Sequence, residues 1–295
     1  MSKLIQTLTI SGQQIQLAED IVDKNVDLVG FIAGKAWPAA NVLSEYLLWR
    51  FTHQPPRTPF RMLELGAGTG ATSLFAGKAV PPLTEIFVSD LDVAVPLIAH
   101  NIQLNYPDSA NILTPLALDW TQHAQTAAWL ASLPPRHNNN NNNKPPIDFV
   151  FASDVVYFPE LFDPLIQTLV VLASPPPSPS LPLSTTSPLA APTPTTTPLQ
   201  PTPETIHESY TQPEILLVCR IRQLEKELPF YTKLGKYFHL QPLADEEWDN
   251  GRFWSTYRGE YVMFRCVLRS QPLDSEGSDD FETMLLMNAD ADLFD

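Results

Sequence analysis

The chain has 295 residues, and 44% of them are hydrophobic, so it can build a packed core and is not disordered throughout. No apolar run approaches the roughly 18 residues of a membrane span, which argues against an integral membrane protein. The first residues also lack the charged-then-apolar plan of a signal peptide. The formal net charge of −15 disfavours a general nucleic-acid binder, because such proteins use Lys and Arg to displace phosphate counterions.

Composition predicts a single domain over 1–272 with two low-complexity loops and a disordered tail. The loop 134–146 contains six consecutive asparagines, and the loop 173–213 is rich in Pro, Ser and Thr, which suits neither helix nor sheet. The tail 273–295 carries eight acidic residues and no Lys or Arg. Without these segments, a chain of ordinary domain size remains.

The cysteines and histidines bear on compartment and on metal binding. Cys219 and Cys266 lie in apolar stretches and cannot form a disulfide framework, which favours a reducing compartment. We expect the cytoplasm, with the nucleus as the alternative. The histidines show no ligand spacing, so no metal site is predicted.

The predicted elements begin with a β-hairpin over 4–17, which turns at Ser11-Gly12, and a helix over 38–52. Strands and helices then alternate: strands at 61–65, 85–89, 112–118, 147–152 and 214–221, and helices at 69–79, 93–105, 160–172 and 222–236. Two last strands, near 238–243 and 261–268, are predicted to pair antiparallel. Apolar strands that alternate with helices predict an α/β fold with a mainly parallel sheet buried on both faces.

The residues after strand 61–65 indicate a turn that binds a nucleoside-containing cofactor. Gly66, Gly68 and Ala71 fit the pattern G-x-G-x-x-[GA], and Asp90 ends the next strand, where its carboxylate can accept hydrogen bonds from ribose hydroxyls. This pattern suits NAD as well as other nucleoside cofactors. Glu64 favours S-adenosylmethionine, because a carboxylate near the cationic methionine end is electrostatically favourable.

Strand 147–152 delivers a second polar cluster, Ser153 to Tyr157, at its carboxyl end. If this strand neighbours strand 61–65, Asp154 and Tyr157 lie beside the glycine turn. Asp154 could then orient an incoming amine, and Tyr157 could line its channel. The alternative is a helix N-cap Asp with a core Tyr, and the residues alone favour neither interpretation.

Six segments in this order resemble lysine methyltransferase family 16, the seven-β-strand protein methyltransferases. They are 36–40 with 43–47, 64–70, 89–92 leading to 101–105, 119–120, 148–157 and 215–220. The similarity covers roughly residues 4–269 outside the two loops. The segment around Trp37, Trp120 and the Asp-x-x-Tyr motif at 154–157 carry the resemblance, whereas a glycine turn alone is unspecific.

The resemblance implies a Rossmann-like seven-stranded methyltransferase sheet, mostly parallel, with a C-terminal antiparallel hairpin and an N-terminal extension of β-hairpin and helix. It implies a monomer that transfers methyl from S-adenosylmethionine to the ε-amine of a lysine in a protein substrate. Family members modify elongation factor 1-alpha, heat-shock chaperones or AAA-type ATPases, and residues 89–98 are most similar to the elongation-factor group. The resemblance also implies catalytic roles for Asp154 and Tyr157, and cofactor contacts for Trp37, Glu64, Gly66, Ala67, Gly68, Asp90, Asp119, Trp120 and Ser153.

Alternative functions remain open. An NAD-dependent oxidoreductase would use the same glycine turn and Asp90, although no Tyr-x-x-x-Lys proton-donor motif occurs. A catalytically silent methyltransferase-fold binding module would keep the fold without the reaction. A nucleic-acid base methyltransferase is disfavoured, because its Asn/Asp-Pro-Pro-aromatic signature is absent at 154–157 and the chain is acidic.

Overall fold

The structure of the protein is a computed structural model that describes residues 3–20, 32–57, 59–107, 112–134, 145–175, 211–243, 248, 256–257 and 259–273. The asparagine run, most of the Pro-rich loop and nearly all of the acidic tail lie outside the described residues, and so do the predictions made for them. Among the described residues, no helix combines the length and the apolar character that crossing a bilayer requires.

The N-terminal hairpin is confirmed as a separate two-stranded antiparallel sheet. Its strands are β1 (Lys3–Ile10) and β2 (Gln13–Asp20). Ser11 and Gly12 connect them with φ angles of 48° and 77°. Two positive φ angles in a two-residue loop match the twist of the flanking strands, so the turn sets the register of the hairpin.

The main sheet has seven strands: β3 (Phe60–Leu65), β4 (Thr84–Asp90), β5 (Leu113–Ala117), β6 (Phe149–Ser153), β7 (Glu214–Arg220), β8 (Phe238–Pro242) and β9 (Tyr261–Leu268). Their order in space is β5-β4-β3-β6-β7-β9-β8. The first five are parallel, β9 runs antiparallel to β7, and β8 runs antiparallel to β9. The predicted mostly parallel sheet with a C-terminal antiparallel pair is therefore confirmed.

The helices flank this sheet: α1 (Pro38–His53), α2 (Ala71–Ala79), α3 (Val95–Asn105), α4 (His123–Ser132), α5 (Phe162–Ala173) after a 3₁₀ turn (Pro159–Leu161), and α6 (Leu224–Tyr237). Helix α4 was not predicted from the sequence. Its residues bury only Thr126, so they lack the apolar stripe that marks the other helices. Helix α2 begins two residues later than predicted, because Gly70 adopts a left-handed conformation with φ 79°.

The core lies on both faces of the sheet, as predicted. On one face, Met62 and Phe149 pack in a cluster with residues of α1, α2 and α3. On the other face, Leu63 and Val150 pack in a second cluster with residues of α5 and α6. Because successive residues of one strand point to opposite faces, both faces of the central strands are apolar.

Candidate active site

The site lies where the strand order reverses. Strand β3 pairs with β4 on one side and β6 on the other, and Leu65 is opposite Ala152 in the second pairing. The strands at 61–65 and 147–152 are thus neighbours, which is the condition for Asp154 and Tyr157 to lie beside the glycine turn. A crevice forms at such a switch point, outside the carboxyl ends of the strands. Here it is a cavity of about 350 Å³, within the roughly 300–1,000 Å³ usual for small-molecule sites.

Most of the predicted site residues line this one cavity: Trp37, Gly66, Ala67, Gly68, Asp90, Asp119, Trp120, Ser153, Asp154 and Tyr157. Glu64 is the predicted residue that does not line it. Two cations also line the cavity that were not predicted from the sequence, Lys35 and Arg222. The structure therefore brings together residues from the ends of five parallel strands and from the segment before α1.

The glycine turn, residues 66–70, fits tightly between its neighbours. Gly66 has φ 62°, and a Cβ atom there would lie 2.9 Å from Val155 Cγ1 and 3.1 Å from Trp120 Cζ2. Gly68 has φ 54°, and its Cβ would lie 3.2 Å from the carbonyl oxygen of Ala33. Both the left-handed backbone and the lack of space therefore require glycine at these two positions.

Asp90 connects the end of β4 to the glycine turn. Its Oδ2 accepts a hydrogen bond from the backbone N–H of Gly68 at 2.7 Å, and its Oδ1 accepts one from Leu91 at 2.7 Å. Burial raises the pKa of Asp90, and these two hydrogen bonds oppose that rise. A carboxylate oxygen has more than one lone pair, so the group can also accept hydrogen bonds from ligand hydroxyls in the cavity.

Glu64 has a different position from the one predicted. Its side chain is buried, and its Oε2 accepts hydrogen bonds from the backbone N–H and the hydroxyl of Ser73, in the first turn of α2. Burial raises its pKa to about 7, against the lowering effect of the Ser73 hydrogen bonds. Glu64 thus joins β3 to α2 instead of lining the cavity.

The two tryptophans form walls of the cavity. Trp37 Nε1 donates a hydrogen bond to the carbonyl of Ile32 at 3.0 Å, which fixes the indole against its own segment. Trp120 is largely buried, and its carbonyl accepts a hydrogen bond from the Thr168 hydroxyl at 3.2 Å. Flat aromatic surfaces of this kind suit a planar base.

Asp119 organises the loop that carries Trp120. Its Oδ1 accepts hydrogen bonds from the backbone N–H of Thr121 at 2.9 Å and from the Thr121 hydroxyl at 2.8 Å. This local turn orients the residues after β5. Asp119 therefore lines the cavity as a half-buried acid that also shapes its loop.

Asp154 is bound to an arginine. Its Oδ1 and Oδ2 accept hydrogen bonds from Arg222 Nη1 at 2.9 Å and Nη2 at 2.6 Å, and Oδ1 also faces the backbone N–H of Arg220 at 3.2 Å. Its φ of 59° is left-handed, and its backbone N–H donates to Val218 at 2.8 Å. Asp154 is therefore not a helix N-cap, and its strained backbone is held from several sides.

The sequence did contain a signal for Arg222. The residue follows β7, whose carboxyl end lies beside that of β6 because the two strands are parallel neighbours. The rule that residues just after parallel strands face the ligand crevice applies to Arg222 as it does to Asp154. The Arg222 guanidinium also lies over the Trp37 ring, 5.8 Å from its centroid.

Tyr157 lies at the open side of the cavity. It is 39% exposed, so it is not a core tyrosine, and its ring packs against Phe158 with centroids 4.7 Å apart. Partial burial raises its pKa to about 12, with a further contribution from the negative charge of Asp90. At neutral pH, Tyr157 is therefore an uncharged phenol.

This fold defines a mainly parallel α/β protein with a cavity at the switch point of its sheet, lined by a glycine turn and by Asp90. Residues 16–182, more than half of the chain, match the family described as lysine methyltransferase. The chain belongs to this family.

Two relatives illustrate the match. The protein N-lysine methyltransferase METTL21A of Xenopus tropicalis is 28% identical over 144 residues, which cover 48% of this chain and 56% of the relative. The protein-lysine N-methyltransferase EFM6 of Saccharomyces cerevisiae is 31% identical over 156 residues, which cover 47% of this chain and 57% of the relative. The chain thus spans little more than half the length of either curated relative.

Solved structures are similar at a low level. Fibrillarin of Aeropyrum pernix, in complex with natively bound S-adenosyl-L-methionine, has a TM-score of 0.41 at 11% identity, with 90% of this chain and 100% of that chain covered. A SAM-dependent methyltransferase from Aquifex aeolicus has a TM-score of 0.40 at 11% identity, with 79% and 94% covered. Likeness at this level says nothing about what the chain does.

Proposed function

We propose that the protein transfers a methyl group from S-adenosylmethionine to the ε-amine of a lysine in a protein substrate. The observation that carries this proposal is that the glycine turn, Asp90 and the Asp-x-x-Tyr motif, Asp154 and Tyr157, meet at one cavity. Membership of the lysine methyltransferase family supports the same reaction.

The residues present fit the cofactor. Gly66 and Gly68 line the cavity without a side chain, so their backbone can approach the amino-acid end of the molecule closely. Asp90 can accept hydrogen bonds from the ribose hydroxyls. Trp120 provides a flat apolar surface for the adenine, and the neighbouring Asp119 also lines the cavity, where its carboxylate can accept a hydrogen bond from the adenine amine.

When bound, S-adenosylmethionine supplies a methyl group on a sulfonium, and its transfer forms an N–C bond, breaks the S–C bond with the electron pair left on sulfur, and releases one amine proton. The enzyme must therefore bind the substrate lysine with its amine in the neutral form. A free lysine has a pKa of about 10.4, so little neutral amine exists at pH 7. A mostly apolar cavity lowers the pKa of an amine that enters it, because burial disfavours the charged form.

The alternative enzyme, an NAD-dependent oxidoreductase, can be separated by calorimetry. The proposal predicts binding of S-adenosylmethionine and S-adenosylhomocysteine and none of NAD. Asp90→Ala should weaken cofactor binding about tenfold or more, because it removes a half-buried charged acceptor from the cavity. Asp92→Ala is the matched control, since Asp92 is an exposed acid two residues away and does not line the cavity. Equal losses in both variants would contradict the assignment of Asp90.

The substrate is tested with purified proteins. We propose elongation factor 1-alpha first, because residues 89–98 are most similar to that group, and then a heat-shock chaperone and an AAA-type ATPase. Each protein is incubated with tritiated S-adenosylmethionine and the enzyme, and labelled products are mapped by mass spectrometry. A labelled lysine supports the proposal. Cofactor binding without label on any protein would favour the catalytically silent binding module.

We also propose that the protein works as a monomer in the cytoplasm. Cys219 and Cys266 are buried free thiols, which suits a reducing compartment. Light scattering of the purified protein and fractionation of cells that express it test the two parts separately. A stable dimer, or a purely nuclear pool, would contradict the respective part.

A further inference from the structure

We propose that Arg222 is a positioning residue that neutralises Asp154, so that the pair presents no net charge to the acceptor amine. The inference rests on the proposed methyl transfer to an amine. It gives Asp154 a task that an isolated carboxylate could not perform, and it assigns a role to a residue outside the family match at 16–182.

The geometry of the pair is that of a fixed two-point contact. Arg222 Nη1 and Nη2 bind the two oxygens of Asp154 at 2.9 and 2.6 Å. The Asp154 side chain is only 3% exposed, and that of Arg222 is 35% exposed. Both residues line the cavity. A planar guanidinium that binds both oxygens fixes the plane of the carboxylate as well as its charge.

Contacts on both sides of Arg222 hold it in place. Its guanidinium lies over the ring of Trp37, 5.8 Å from the centroid. Its backbone N–H donates to Glu227 Oε1 at 3.2 Å, and the same oxygen accepts from Gln223 at 3.1 Å. The arginine therefore joins the segment before α1 to the exits of β6 and β7, three parts of the wall that are distant in sequence.

Pairing matters because the nucleophile is the neutral amine. A bare carboxylate beside a lysine favours the ammonium form and raises its pKa, which would oppose the reaction. A carboxylate already paired with a guanidinium has no such net effect, yet its oxygens can still orient an N–H of the amine. Arg222 thus permits Asp154 to position the acceptor without keeping it protonated.

Within the described part of the chain, the other ionisable groups around Asp154 do not neutralise it, and Glu227, which accepts from the Arg222 backbone, is itself an acid. Burial raises the pKa of the Cys219 thiol and of the Tyr231 phenol, so both are uncharged at neutral pH. The pKa of Tyr261, on β9, is likewise raised by burial. The Arg220 guanidinium is directed to Glu260 at 3.4 Å.

Across the cavity, the lining contributes further charged groups, Lys35, Asp90 and Asp119, together with the phenol of Tyr157. Asp90 accepts backbone hydrogen bonds from Gly68 and Leu91, and Asp119 accepts one from Thr121. These groups form a constant background that stays the same when Arg222 is changed, so a shift on substitution of Arg222 reports on the pair.

The test compares the binding of two cofactor forms, which needs no protein substrate. S-adenosylmethionine carries a sulfonium charge next to the transferable methyl, and S-adenosylhomocysteine lacks that charge. In Arg222→Met, the unpaired carboxylate should improve the binding of S-adenosylmethionine relative to S-adenosylhomocysteine by about fivefold. Asp154→Asn leaves an unpaired cation and should shift the ratio the opposite way. Asparagine tolerates the left-handed backbone.

Three further variants complete the cycle. The double variant R222M/D154N should return the ratio to the wild-type value, and Arg222→Lys, which keeps the charge, should stay near it. Arg220→Met is the matched control, because it removes a cation two residues away that pairs with Glu260 outside the cavity. Thermal unfolding establishes that each variant is folded, and Arg222→Gln replaces R222M if the latter aggregates.

Once a protein substrate has been identified, the pH dependence of methyl transfer gives a second readout. R222M should move the rising limb of the rate profile about one pH unit higher, because the bare carboxylate holds the amine protonated. A purely structural role would lower the rate at every pH without moving that limb. If both cofactor forms bind and R222M leaves their ratio unchanged, this proposal is overturned alone. If wild type binds neither form, the proposed function fails.

Discussion

The tight fit of the glycine turn can be tested by comparing two glycines with similar backbone angles and different surroundings. Gly66 has φ 62° and Gly12, in the turn of the N-terminal hairpin, has φ 77°. A Cβ at Gly66 would lie 2.9 Å from Val155 and 3.1 Å from Trp120, whereas a Cβ at Gly12 would have nothing within 4 Å. Alanine introduces the same kind of backbone strain at either position, and only Gly66→Ala adds a steric clash.

The expected sizes follow from these two terms. Gly12→Ala should lower the free energy of unfolding by about 1 kcal/mol, the usual strain of a left-handed residue with a Cβ. Gly66→Ala should lower it by about 1–3 kcal/mol more, because Val155 and Trp120 must move to make room in a packed wall. Urea denaturation followed by tryptophan fluorescence measures both. Since the displaced side chains line the cavity, only Gly66→Ala should also weaken binding of S-adenosylmethionine, about tenfold or more.

The comparison has a result that would refute the reasoning. If the two variants lose the same stability and both bind S-adenosylmethionine like wild type, then the close approach of Gly66 to the cavity wall has no energetic consequence. A loss of binding in Gly12→Ala, which changes only the distant hairpin turn, would point to a general loss of folding instead.

Two further predictions concern buried polar side chains. Burial raises the pKa of Glu64 to about 7. The stabilisation that goes with this raised pKa is complete below the pKa of Glu64 in the unfolded chain and is lost as the pH rises through 7. The free energy of unfolding of Glu64→Gln should therefore rise by about 2–3 kcal/mol relative to that of wild type between pH 5 and pH 8. Denaturant titrations at several pH values measure this, with the exposed Glu225→Gln as control, and parallel pH curves for wild type and E64Q would contradict it. Asn101→Leu should lower the free energy of unfolding by about 2–4 kcal/mol, because it leaves buried backbone groups of Ala18 and Thr69 without partners. Asn105→Leu, at a less buried site, should cost less, and equal losses would contradict that explanation.

Hydrophobic periodicity was sufficient to predict the sheet because its strands are apolar on both faces. The same reasoning failed for α4, residues 123–132, which packs on the core through the half-buried Trp129 and Leu130; the Trp129 ring makes an edge contact with Phe87, with ring centroids 5.1 Å apart. Two half-buried apolar side chains on a mostly exposed helix do not produce a periodic signal. Helix α4 is therefore recognised only in the folded structure, where β4 provides a surface for it to pack on.

Strand alternation explains why Glu64 does not line the cavity. Leu63 and Leu65, on either side of it, pack in the cluster on the face of α5 and α6. Glu64 must then point to the opposite face, where Ser73 of α2 receives it. Its place directly before the glycines suggested contact with a ligand, but the period of the strand was the stronger constraint.

The sequence motifs could not identify Arg222 as the partner of Asp154, for a different reason. Arg222 follows 68 residues later, after the Pro-rich loop, and a sequence pattern does not encode which two strand ends become neighbours. The position of each residue after its strand was predictable, whereas their contact depends on the pairing of β6 with β7. The charge of a site can therefore be misjudged when its acids are known and their partners are not.

The N-terminal hairpin acquires a functional meaning from its contacts with the cavity wall. Asn101 bonds both to Ala18 of β2 and to the carbonyl of Thr69 in the glycine turn. Glu19 accepts a hydrogen bond from the backbone of Ala36, next to Trp37. Docking of the hairpin and the shape of the cavity are therefore parts of one structure. Because a ligand that requires the assembled wall also stabilises the contacts that assemble it, breaking the contacts of Ala18 and Glu19 with the wall must weaken cofactor binding by the same free energy with which the cofactor strengthens those contacts.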